Sequence, residues 1–266
     1  MKSLKIIAVL LFAGSLAFVG QMKAETITNN CGDKFMHFLK SVPYEGKFAD
    51  FDATRPVSEY NPETVAITVN FEISFPIGRD LLPLKEYIIK KIMQVDNTSD
   101  PNVAAERGAK KIFDDNCFYF DDPHYDMAVT AGDCSDKWLV MDIDVEYGRG
   151  DLPNPISLSR SIFYDRELQA VIPPQDIISD FDDKGLLALV NKAIADEYHE
   201  LGLEGSYRYD EQDTLFPDIV VAKDGIYFCF NRYSIPWWNE GAASYLIPYS
   251  DLRPYLTPYF IKVMGL

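Results

Sequence analysis

Eleven consecutive residues constrain this chain most: Val65, Ile67, Val69, Phe71, Ile73 and Phe75 alternate without a break with Ala66, Thr68, Asn70, Glu72 and Ser74. That period of two predicts a strand with one buried face, and a buried face demands a covering layer. A second run, Trp138 to Tyr147, repeats the pattern, with Met141, Ile143, Val145 and Tyr147 facing one way and Asp142, Asp144 and Glu146 the other. Its acidic face has to be solvated or paired.

The covering layer is legible too. After Pro76 and Gly78, Asp80 precedes a helix that tolerates Pro83 in its first turn and sets Leu84, Ile88, Ile92 and Val95 on one side. A short helix is predicted over Val103–Phe113. Another begins near Gly185, with Leu187, Val190, Ile194, Tyr198 and Leu201 on its apolar side. Ile156–Tyr164 and Leu168–Ile172 read as a hairpin turning at Asp165-Arg166. Ile219–Ala222 and Ile226–Phe230 flank Lys223-Asp224-Gly225, a strong hairpin signal. The chain closes with a strand over Tyr245–Pro248 and a short helix capped by Ser250. Residues 25–60 give mixed signals, with Phe35, Phe38 and Leu39 on one face of a short helical pattern, and Asp114–Asp136 reads as an acidic loop.

Hairpins require antiparallel pairing, and strands and helices do not alternate strictly, so the class is α+β: antiparallel sheets with helices packed on one face, in two similar α/β halves. The division expected is a signal peptide at 1–24, an N-terminal segment at 25–60, an N-terminal half at 61–160 and a C-terminal half at 161–266.

Lys2 and Lys5 precede Ile6–Gly20, an apolar run interrupted only by Ser15, which reads as a secretory signal too short to span a bilayer. Cleavage is expected after Ala24, with Gly20 as the alternative. Cys31 follows Thr28-Asn29-Asn30 and lacks the small apolar approach of a lipid anchor, so the expected location is periplasmic or secreted, with no membrane span after cleavage. The apolar fraction of 47% and aromatic fraction of 14% supply a core too large for a disordered chain. Net charge is −16, and removing Lys2, Lys5 and Lys23 with no acid brings it to −19. Such a field repels nucleic acid and speeds encounter with a cationic protein.

Four cysteines remain in a compartment where disulfides persist. Cys117 and Cys134 enclose sixteen residues, a loop whose closure contributes ~3 kcal/mol on the chain-entropy model, and are the expected pair. Cys31 with Cys229 is the weaker pairing, because Cys229 among Ile226, Tyr227, Phe228 and Phe230 also reads as a small buried hydrophobe.

No nucleophile elbow, phosphate loop or zinc-helix motif occurs, and His37, His124 and His199 lie far apart in sequence without patterned partners. Asp114, Asp115, Asp121, Asp122, Asp126, Asp133 and Asp136 offer oxygen ligands of the kind that hold Ca²⁺, but their spacing matches no calcium loop. No metal and no cofactor are expected. The enzymatic alternative is a glycan hydrolase using Asp142, Asp144 and Glu146, since neighbours on one strand face lie about 7 Å apart, within an inverting enzyme's range.

The C-terminal hundred residues resemble the extracytoplasmic domain of RsiV-like anti-sigma factors, the family known as domain of unknown function 3298. The resemblance rests on Ser161–Asp165, Pro173–Phe181, Asp224–Phe228, and Tyr233-Ser234-Ile235-Pro236-Trp237-Trp238-Asn239-Glu240-Gly241 ahead of Ile247–Leu252. Thr64–Gln94 is similar in outline to the domain that commonly precedes it. The proline stands one place early, and Gly148–Leu152 replaces a Gly-Gly-Ala-His stretch of many relatives. The resemblance implies an exported, non-catalytic binding or sensing protein of the bacterial cell envelope; the best understood relatives recognise lysozyme, and others accompany peptidoglycan deacetylases. Only five residues precede the apolar run, so no cytoplasmic region to hold a sigma factor is expected. The partner expected is a protein such as lysozyme, with a cell-wall glycan as the alternative. Its expected contacts are Tyr233, Pro236, Trp237, Trp238 and Glu240, because two adjacent indoles on an extended segment leave opposite faces and one is exposed.

Overall fold

The structure, a computed structural model, describes residues 23–47, 64–115, 124–148, 155–200, 218–230 and 243–266. The first alternating run lies within β3 (Thr64–Ile77), and each of its six odd-numbered apolar residues from Val65 to Phe75 is buried. β1 (Lys23–Thr28) and β2 (Lys34–Lys47) form a hairpin, and β2 pairs antiparallel along the whole of β3. On its other side β3 pairs with β4 (His124–Cys134), and this contact is parallel. Then β5 (Trp138–Tyr147), β6 (Ile156–Asp165) and β7 (Ala170–Ile172) add in antiparallel order, so seven strands lie side by side in chain order. The class is α+β, with the larger sheet mixed rather than purely antiparallel.

Parallel neighbours need a crossover. It is made by α1 (Leu82–Tyr87), which continues as a π-helical turn over Ile88–Ile92, and by α2 (Pro101–Asp115). Leu84, Ile88, Ile92 and Val95 are buried as the spacing predicts, and Ala104, Ala105, Ala109 and Ile112 of α2 join them against one face of the sheet. Each fully buried Leu or Ile there contributes roughly 1.5–3 kcal/mol relative to exposure.

The opposite face is covered at one end only. Trp138 and Val140 of β5 and Phe163 of β6 form a second core with α3 (Lys184–Glu200), a three-stranded antiparallel sheet of β8 (Ile219–Val221), β9 (Gly225–Phe230) and β10 (Ala243–Pro248), and α4 (Tyr249–Leu252) and α5 (Pro258–Met264). The ring of Phe163 lies 6.0 Å from Trp138 and 5.2 Å from Phe260. Both predicted hairpins form, and the boundary between residues 160 and 161 falls inside β6. Ser161 joins the two sheets, because its hydroxyl donates to the Ile219 carbonyl at 3.3 Å and accepts from the Val221 N–H at 3.0 Å.

Three local expectations are corrected. Phe35, Phe38 and Leu39 lie in β2 rather than a helix; Phe35 and Phe38 are both buried, on opposite faces of a strand covered on both sides there, which imitates helical spacing. From His124 onward the acidic stretch is a strand, whose short buried pattern of Met127 and Val129 is completed by its neighbours rather than by its own hydrophobicity. Ser250 lies inside α4, where Pro248 is the N-cap, and its hydroxyl donates to Asp251. The cap that forms is Thr257 on α5, which accepts from the Phe260 N–H.

The disulfide is also corrected: Cys134 is bonded to Cys31, Cys229 is free, and Cys117 lies outside the described residues. Register explains the pairing. The β1–β2 turn stands where β2 begins opposite the end of β3, and β4 runs parallel to β3 and ends at the same edge. Asn29 shapes that turn by accepting from the N–H groups of Cys31 and Asp33, and Gly32 takes the positive φ of 86° that the reversal requires. Beside the disulfide, Arg166 grips both oxygens of Asp33 at 2.9 and 2.6 Å. Burial acts to raise the Asp33 carboxyl, but the hydrogen bonds from Arg166 and Asn29 outweigh it and hold the carboxyl below its ordinary value. The Cys31–Cys134 link closes a loop with a sequence separation of 103, for which the chain-entropy model gives ~4.7 kcal/mol. Peptide mapping without reductant is expected to recover Cys31 joined to Cys134, and Cys31→Ser is expected to lower the melting temperature by about 10 °C or more.

Candidate functional site

The part of the outer face that the second layer leaves uncovered is polar, and its register is ordered. Ser41 of β2, Asn70 of β3, Asp126 of β4, Glu146 of β5 and Ser157 of β6 are successive partners across five strands. Ser41 donates to Asn70 Oδ1 at 2.6 Å, Asn70 Nδ2 donates to Asp126 Oδ1 at 2.7 Å, and Ser157 donates to Glu146 Oε2 at 3.2 Å. His124, two residues before Asp126 on the same face, brings Nε2 to 3.8 Å from Glu146 Oε1. One ligand atom from each of His124, Asp126 and Glu146 lies within 4.8 Å of the other two. All three residues are half-buried.

The neighbouring rows carry Asp144 and Asp142. Asp144 is exposed and accepts from Ser159 at 2.6 Å. Asp142 faces Ser161, but that hydroxyl is engaged by β8, so Asp142 lacks the serine donor that its two neighbours have. Gly132 makes room for it, since a Cβ there would stand 2.6 Å from Asp142 Oδ2. Burial first, and then the charges of Asp144 and Asp133, push the Asp142 carboxyl up to about 7. The free thiol of Cys229 looks onto the same carboxylates, and burial pushes it up to about 11, which makes it a poor nucleophile at neutral pH.

Towards the disulfide end, an open pocket of about 300 Å³ is lined by Ile27, Asn29, Phe35, His37, Ser74 and Thr130, among others. His37 Nε2 lies 3.7 Å from Glu72, and its Nδ1 is buried without a hydrogen-bond partner.

The expected contact residues Tyr233, Pro236, Trp237, Trp238 and Glu240 lie outside the described residues, as do residues 1–22 of the expected signal peptide at 1–24, whose last two residues, Lys23 and Ala24, begin β1. The segment of those contact residues joins β9 to β10, whose ends Phe230 and Ala243 are register partners. The row through Asn70, Asp126 and Glu146 is the site that sequence reasoning missed. Only the outward parity of Asn70 and Glu146 could have signalled it. Among the described residues no helix is long and apolar enough to cross a membrane.

The fold is similar to those of solved domain-of-unknown-function 3298 proteins. The chain shares it with a family member from Bacteroides fragilis, at a TM-score of 0.58 and 15% identity over 93% of this chain and 99% of that one. It shares it also with a family protein from Pseudomonas aeruginosa, at a TM-score of 0.53 and 14% identity over 84% of this chain and 95% of that one. No family model and no curated protein matches the chain. At these identities the likeness is one of fold.

Asp142 supplies a test of the site's electrostatics. A carboxyl whose folded pKa is raised keeps full stability below its unfolded value and loses it as pH rises through the interval up to the folded value. That interval runs from 3.8 to about 7. Asp142→Asn is therefore expected to raise the melting temperature at pH 8, by a stabilisation on the order of a few kcal/mol at most. The gap should narrow as pH falls from 7 toward 4; a gap that does not change with pH would show that this carboxyl ionises normally in the folded chain.

Proposed function

We propose that this chain is an exported, non-catalytic binding or sensing protein of the cell envelope whose partner is a cationic, envelope-directed protein, with lysozyme the first to test. The observation that carries this reading is the outer sheet face, where Glu72, Asp126, Asp142, Asp144 and Glu146 bring five carboxylates onto three adjacent strands of a chain with a net charge of −16. A rigid acidic face attracts a basic protein over long range and fixes its orientation. The segment that carries Trp237 and Trp238 joins β9 to β10, and an indole of that segment serves as the anchor that charge alone does not supply. Export is supported by the apolar leader and by the Cys31–Cys134 disulfide.

Calorimetric titration of residues 25–266 with lysozyme tests this. Binding is expected to weaken at least about tenfold between about 0.1 and 1 M salt, over which the screening length falls from about 10 to 3 Å. Trp237→Ala and Trp238→Ala are expected to cost roughly thirtyfold for whichever indole is the anchor, with unchanged melting. Capture of peptidoglycan fragments in place of any basic protein would transfer the site to the glycan reading.

One observation favours a second reading, a carboxylate-based glycan hydrolase. Asp142 is held near pH 7 beside Asp144 on the same strand face, which is the pairing of an acid with a base. Release of reducing sugar from peptidoglycan, abolished in Asp144→Asn, would establish it and displace the binding proposal.

A further inference from the structure

We infer that His124, Asp126 and Glu146 form a binding site for a divalent first-row transition metal. Asp126 and Glu146 are direct partners across the β4–β5 ladder. Like charges placed directly opposite one another destabilise a sheet. Among the described residues neither carboxylate is paired with a lysine or arginine, so the cost is not relieved by an ordinary surface ion pair. A dication between them removes it.

The donor geometry suits such an ion. Ligand bonds of about 2.1 Å in a tetrahedral site put ligand atoms about 3.4 Å apart. His124 Nε2 and Glu146 Oε1 are 3.8 Å apart, and all three donors lie within 4.8 Å, so side-chain torsions alone close the set. The outer groups are in place as well. Asn70 Nδ2 holds Asp126 Oδ1, Ser41 holds Asn70, and Ser157 holds Glu146 Oε2, each hydrogen bond orienting a ligand rather than occupying both of its oxygens. One imidazole and two carboxylates select a borderline ion of the zinc or ferrous type over calcium, which takes six to eight oxygens. Among the described residues three protein ligands on a half-buried face supply the set, which leaves room for a further ligand.

The test uses the full mature chain, stripped with chelator and free of any affinity tag, titrated with Zn²⁺ by calorimetry and with Co²⁺ by visible absorption. One ion per chain is expected, with a rise in melting temperature at saturating metal. His124→Gln and Glu146→Gln are each expected to abolish the cobalt spectrum, and Asn70→Ala to weaken binding at least about tenfold while circular dichroism stays unchanged. Absence of both binding heat and a melting shift with either metal would overturn the site. So would binding that survives in both ligand variants, or a thiolate-to-cobalt charge-transfer band, which would put the ion on a cysteine. None of these outcomes depends on whether lysozyme binds.

Discussion

The parallel contact between β3 and β4 is the constraint from which the rest of the structure follows. Antiparallel neighbours can be joined by a turn, but parallel ones need a connection that returns along the sheet, and here that connection is the helical pair α1 and α2. The crossover packs on one face of the larger sheet and is absent from the other. That second face is then available for a separate layer, and the C-terminal residues supply it over Trp138, Val140 and Phe163. Because the second layer stops partway along β5, one strand carries both an apolar and an acidic stretch on a single face: Trp138 and Val140 lie under the small sheet, Asp142 at its margin, Asp144 and Glu146 beyond it.

That margin sets the chemistry of the three β5 acids. Each stands opposite a serine of β6, and the serines differ only in what else claims them. Ser157 and Ser159 donate to Glu146 and Asp144, whereas Ser161 is used to dock β8. Joining the two sheets therefore removes the donor from the carboxylate nearest the join, and desolvation raises that carboxyl. The perturbed acid follows from an economy of hydrogen bonds at the sheet-to-sheet seam, which is a structural cause. Catalysis would have to be shown by turnover rather than read from the shift.

What was legible in the sequence follows the same logic. β3, β5 and the Asp-Gly hairpin declare themselves because β-branched and aromatic residues alternate over enough positions to outweigh any other period. β2 and β4 do not. In β2 burial on both faces hides the alternation, and in β4 Ala128, Ala131 and Gly132 leave only Met127 and Val129 as apolar signals. The site failed to show for a further reason. Its residues come from positions 41, 70, 124, 126, 146 and 157, and only the register of four strand pairs brings them together; for the parallel pair, no turn in the sequence fixes that register. The disulfide is hidden on the same ground. A short loop is entropically the easy closure, but the strand ends decide which sulfurs meet, and they select a partner 103 residues away.

The two ends of the sheet are built for different purposes. At the end where β3 and β4 finish, Cys31–Cys134, the Arg166–Asp33 pair and the Tyr164 hydroxyl on the Asp80 carbonyl cross-link the β1–β2 turn, β4, β6 and the residues just past β3. At the opposite end the strands are held by the ladder and by the polar row through Asn70. A ligand set is only as exact as the register that delivers it, and a one-residue slip of β4 against β5 would send Asp126 to the helical core and Tyr125 to the surface. Stapling Cys134 at the far end of β4 opposes such a slip without placing any cross-link near His124. The locked end thus keeps the register on which the carboxylate end depends, and the carboxylate end stays open for whatever it binds.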